Sequence, residues 1–182
     1  ILRETRGTLD YMMKRTPYLN KRLMPKRDIF GDVMTMPTSG IRGVLDPIYR
    51  KEVSTDLVNH EFANLSHGFS MPSDKILGSV DMHKYENEGG QTAYDRMVEI
   101  AGTTKIDGMT QKEALRKLIQ TPEYQAMNLE GDDALGIKSP RVKALQRVMG
   151  RYRRRAKSLT LNEFSELRNA YTTTLEQRRL NQ

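Results

Sequence analysis

Residues 139–180 read SPRVKALQRVMGRYRRRAKSLTLNEFSELRNAYTTTLEQRRL, and their spacing decides the fold class. Ser139 followed by Pro140 is a helix start: a serine hydroxyl caps free backbone amides, and proline at the first helical position lacks only a donor that would go unused. From there Val142, Leu145, Met149, Tyr152, Ala156 and Leu159 step by three and four, the period of one helix face. Thr160 and Glu163 then form a capping-box pattern, followed by Leu161, Phe164, Leu167, Tyr171 and Leu175 on one apolar side. Arg178 and Arg179 fall in the last turn, where cations suit the helix dipole. The expectation is two amphipathic helices, 139–159 and 161–180, with almost no linker, meeting in a tight corner or a hairpin.

Upstream the same signals recur with shorter periods. Ser54 or Thr55 can cap a helix carrying Leu57, Val58, Phe62 and Leu65 and closed by Gly68. Thr92 can cap another with Met97, Val98 and Ala101 inward and Gly102 at its end, and Thr110 with Glu113 is a capping box before Ala114, Leu115, Leu118 and Ile119. Pro122 stops that helix and opens a short one through Met127, residues 129–138 read as loop, and residues 75–82 are short and strand-like. The fold class expected is mostly α: a small irregular helical domain over residues 54–182, preceded over residues 1–53 by an N-terminal helix (2–13) and a long extended strap.

The strap is the part without helical period. Residues 15–31, RTPYLNKRLMPKRDIFG, hold two prolines that each remove a backbone donor and push Thr16 and Met24 toward extended geometry. Pro37, Gly40, Gly43 and Pro47 prolong the irregular run, and so long a structureless stretch in a compact domain tends to wrap or dock a partner. Pro17, Tyr18, Leu19, Leu23, Pro25, Arg27, Asp28 and Phe30 are the candidate protein-docking residues, apolar anchors set among solvated charges.

The strap also resembles a known family. Arg15, Thr16, Pro17, Leu19, Pro25, Arg27, Asp28, Phe30 and Gly31 are similar to the region near the C-terminus of the very large internal virion (ejection) proteins of short-tailed bacteriophages, which include giant encapsidated RNA polymerases. The likeness continues more loosely through residues 61–65, Pro72 and Pro122-Glu123-Tyr124, although the family is richer in glycine where Tyr18 sits. The resemblance implies a setting in the virion interior, synthesis in the host cytoplasm, multiple copies, and the portal and other ejection proteins as partners. It also implies a longer parent with a polymerase or lytic domain upstream, and a first residue of Ile1 in place of Met fits an excerpt of such a chain.

Charge is polarised along the 182 residues, which carry a net charge of +7. Residues 14–27 hold six basic side chains and residues 138–157 hold nine, with no acid in either run, so the remainder of the chain is acidic. Lys143, Arg147, Arg151, Arg154 and Arg155 fall opposite the apolar stripe at 100° per residue. Such a ridge can neutralise phosphates of packaged DNA without sequence preference, or it is a solvated face, or it pairs with an acidic surface of a neighbouring subunit. The strap and the eleven methionines, whose flexible side chains suit adaptable contacts although core packing explains most of them equally well, tilt the reading toward a protein partner.

Catalytic and cofactor chemistry finds no pattern. Cysteine is absent, which removes disulfides, thiolate catalysis and cysteine-ligated metals. His60, His67 and His83 lack metal-ligand spacing, Asp132-Asp133 lacks a calcium-loop pattern, and the glycines form no phosphate-cradling loop. No serine sits in a nucleophile elbow, and no apolar run is long enough for a spanning helix. The function expected is a non-catalytic docking domain of a phage ejection protein, anchored near the portal and packaged DNA, with no metal and no cofactor. The alternative is a free-standing basic helical module that binds nucleic acid non-specifically.

Overall fold

The structure, a computed structural model, describes residues 25–34, 56–65, 69–131 and 138–181. The expected helix 2–13, the strap residues Pro17, Tyr18, Leu19, Leu23, Pro37 and Pro47, the caps Ser54 and Thr55, and Gly68, Asp132 and Asp133 lie outside these. The described part is mostly helical: α1 (Leu57–Asn64), a two-stranded antiparallel hairpin β1 (Lys75–Ile76) and β2 (Val80–Asp81), a 3-10 turn (Met82–Lys84), α2 (Ala93–Thr103), α3 (Gln111–Ile119), α4 (Pro122–Gln125), α5 (Pro140–Glu163) and α6 (Ser165–Leu180).

Local chemistry sets most helix starts. Thr92 accepts from the Asp95 amide, Thr110 and Glu113 make both halves of a capping box, Thr121 caps α4, and Ser139 accepts from the Val142 amide with Pro140 at the first helical position. The cap of α1 is Asp56, one residue beyond the two proposed from sequence, and it also takes an ion pair from Arg116. The short helix after Pro122 stops at Gln125, with Ala126 as its cap.

The boundary between the terminal helices is corrected. Thr160 does not begin a helix: it is buried inside α5 and its hydroxyl returns to the Ala156 carbonyl at 2.9 Å. Glu163 does not close a box, because Arg96 on α2 takes both its carboxylate oxygens at 2.7 and 3.0 Å. The helix therefore runs to Glu163 and breaks at Phe164, whose backbone (φ −106°, ψ 94°) leaves helical space while its ring enters the core. One residue joins α5 to α6, and the second helix lies against β2 as well as α5, so the connection is a corner.

Two apolar cores flank α5. In one, Val58, Leu115, Ile119 and Tyr124 close on Leu145 and Met149; in the other, Ile76, Val80, Met82, Met97, Val98 and Ile100 close on Ala156, Phe164 and Leu167. Phe30 belongs to the first core.

Arg27, Asp28 and Phe30, expected to dock a partner, make contacts within the chain. Asp28 accepts from the amides of Phe30 and Asp32 and so folds the strap into a turn, and Arg27 bonds the Gly31 carbonyl and Glu99 on α2. Gly31 has φ +82°, a left-handed conformation that glycine adopts without strain, and its backbone lies against Gly102. A β-carbon on Gly102 would stand 2.1 Å from the Phe30 carbonyl oxygen. The Arg-Asp-x-Phe-Gly run is thus a tie between strap and body, and Arg27, Glu99, Arg96 and Glu163 form a chain of ion pairs that extends it to the end of α5.

Two substitutions test this packing. In a free helix Gly→Ala is favourable by about 1 kcal/mol, so Gly102→Ala should lower the melting temperature only if the strap contact governs the site. The same variant should speed amide exchange at Phe30 and Gly31. Leu145→Ala should destabilise by about 2–5 kcal/mol in chemical unfolding, whereas Leu175→Ala on the half-buried side of α6 should do markedly less.

Candidate nucleic-acid interface

The nine cations of residues 138–157 do not act alike, because burial sorts them. Arg141 faces inward. Its Nη1 donates to Glu61 at 3.1 Å, Nη2 to the Gln125 carbonyl at 2.7 Å and Nε to the Met127 carbonyl at 3.0 Å, and the guanidinium stands 5.1 Å from the centre of the Tyr124 ring. Tyr124 completes the cluster by donating its hydroxyl to the same Glu61 oxygen at 2.9 Å, and burial together with that acceptor pushes the phenol well above its usual range. A buried charge needs such full pairing, since its desolvation is costly.

Arg153 and Lys157 are half-buried. Arg153 donates to the Ser70 carbonyl at 2.6 Å, and Lys157 lies 5.3 Å from the centre of the Tyr171 ring. Burial lowers the affinity of both for their protons. Lys138, at the start of the run, bonds Gln146.

The five residues singled out from sequence are all left outside, as is Lys138. Lys143, Arg147, Arg151, Arg154 and Arg155 are all exposed, on the side of α5 opposite Val142, Leu145, Met149, Tyr152 and Ala156. Arg151 pairs with Asp107 at 3.1 Å; the other four have no ion-pair partner among the described residues. At 1.5 Å per residue the ridge extends about 18 Å. Gly150 lies beneath it, and a β-carbon there would come within 3.4 Å of an Arg154 guanidinium nitrogen. The arrangement offers an array of point charges and forks to phosphate or carboxylate, without the amide side chains or stacked aromatics that read bases.

Other candidate chemistry does not gather. Among the described residues no three His, Asp or Glu side chains approach closely enough to hold a metal ion. His60 is exposed and bonds Asn64, and His83 packs against Tyr94 with ring centres 4.6 Å apart. Met97 and Met149 are buried in the cores, as the helix spacing predicts, and Met82 is buried with them, while Met34 and Met71 remain partly exposed. No described helix is long and apolar enough to cross a membrane.

Sequence reasoning missed the Glu61–Arg141–Tyr124 cluster. Its only trace was an acid on the apolar face of α1 and an arginine one position from the stripe of α5; their sequence separation is 80 residues. Comparison with protein-family models, with curated proteins and with solved structures finds no match.

Removing one member of the buried pair leaves the other charged and unpaired. Glu61→Gln should therefore destabilise by about 3–5 kcal/mol, and the double variant Glu61→Leu with Arg141→Met should recover part of that loss. Chemical unfolding of the three proteins checks the cycle; equal losses in the single and double variants would assign the effect to packing alone.

Proposed function

We propose that the chain is a non-catalytic, helical anchoring domain of a phage internal virion protein, and that its α5 ridge contacts packaged DNA through phosphates. The observation that carries the DNA contact is the set of four exposed cations, Lys143, Arg147, Arg154 and Arg155, aligned on one face without acidic partners among the described residues. The virion setting rests on the resemblance of residues 15–31. The case for an acidic protein partner draws on the strap and the methionines; of the strap residues, Arg27, Asp28 and Phe30 make contacts within the chain.

Each phosphate contact releases counterions, so a ridge of four contacts predicts that log K for duplex DNA falls against log salt with a slope of about −3 to −4. Reversing Lys143, Arg147 and Arg155 to Glu should abolish binding at about 150 mM salt while leaving the thermal midpoint within about 2 °C, since surface substitutions are nearly neutral. Fluorescence anisotropy with an arbitrary duplex measures the slope and the loss of binding, and a thermal melt measures the midpoint. Duplex affinity that is independent of salt, or unchanged in the reversal variant, would leave the ridge as an acidic-protein contact, to be read by loss of co-assembly with the parent's virion partners.

A further inference from the structure

The corner between α5 and α6 encloses an open groove of about 440 Å³, within the size range of small-ligand sites. Three cations converge on it from two helices: Arg154 and Lys157 from α5, and Arg168 from α6. No carboxylate lines it among the described residues, and Asn162 adds an amide able to donate or accept. Leu161 and Tyr171 supply an apolar wall, so the groove is not a plain anion trap. Lys157 is held by the packing against Tyr171, and burial already weakens its hold on its proton, a condition that a bound anion would relieve. Arg154 belongs to both the groove and the ridge, so the two surfaces are continuous.

A ligand that satisfies both halves carries a phosphate and a flat apolar group together. We infer that the groove seats one nucleotide of an unpaired nucleic-acid strand, its phosphate among Arg154, Lys157 and Arg168 and its base against Tyr171 and Leu161. A duplex cannot enter in this way, because its bases are stacked inside; it meets the ridge alone. The groove thus gives the domain a preference for strand ends or single-stranded stretches next to a non-specific duplex contact. This rests on the reading of the ridge as a nucleic-acid surface, and the variants below keep the two apart.

The full chain is titrated into fluorescein-labelled oligothymidylate and into a duplex of equal length. Tyr171→Leu removes the ring but keeps apolar volume against the core it packs on, Arg168→Gln alters an exposed side chain, and a thermal melt of each variant checks that the fold is kept. Each should weaken oligothymidylate binding about tenfold and duplex binding by no more than about twofold, as loss of one base-aromatic stack or one phosphate contact would. Thymidine monophosphate should compete with oligothymidylate in the unaltered chain at concentrations where inorganic phosphate does not. Lys143→Glu with Arg147→Glu should weaken duplex binding most. Unchanged oligothymidylate affinity in both groove variants, equal losses on single strand and duplex, or competition by inorganic phosphate as effective as by the nucleotide would each overturn the nucleotide site. If the groove variants lose single-strand binding while the ridge variant keeps its duplex affinity, the groove stands and the ridge reading falls.

Discussion

The structure depends on the uninterrupted apolar face of α5. Leu145 and Met149 at its first half complete one core, and Ala156 and, at the break, Phe164 complete the other. Neither core is large, and burial of apolar area is the main stabilising term in folding, so both depend on the helix they share. At the break between the helices the Phe164 ring is buried in the same core as Ala156.

Close backbone approach is the second organising feature. Gly31 and Gly102 face each other without side chains, which lets the strap lie on α2 and place Phe30 under Lys112 and beside Phe62. Around that contact the carboxylate of Glu99 is opposed by burial but favoured by Gln91, Arg27 and Arg96, and the balance holds it below its usual range. A carboxylate lowered in this way adds stability above the ordinary value of 4.5 and loses it as acid protonates the folded state. The part of the strap attachment that rests on Glu99 is accordingly lost in acid.

Desolvation divides the basic run into structural and free cations. Arg141 is inside because three acceptors and a ring meet it there, whereas Lys143, Arg147, Arg154 and Arg155 stay outside because nothing acidic among the described residues offers to replace water. The ridge and the adjoining groove are what remains of the charge after the fold has taken its share. That residual charge is the part able to bind something else.

Periodicity and caps are local properties, and the sequence alone determined what rests on them: the mostly helical class, the starts at Thr92, Thr110 and Ser139, the inward stripe of α5 and the outward ridge. Each follows from atoms within one or two turns of one another. The pairing of Glu61 with Arg141, the use of Glu163 by Arg96, the burial of Phe30 and the convergence of Arg154, Lys157 and Arg168 were decided only in three dimensions. Thr160 and Glu163 show why. A capping box and a helix interior present the same four residues, and the choice fell to an arginine 67 residues from Glu163 whose guanidinium could reach it only after α2 had packed on α5.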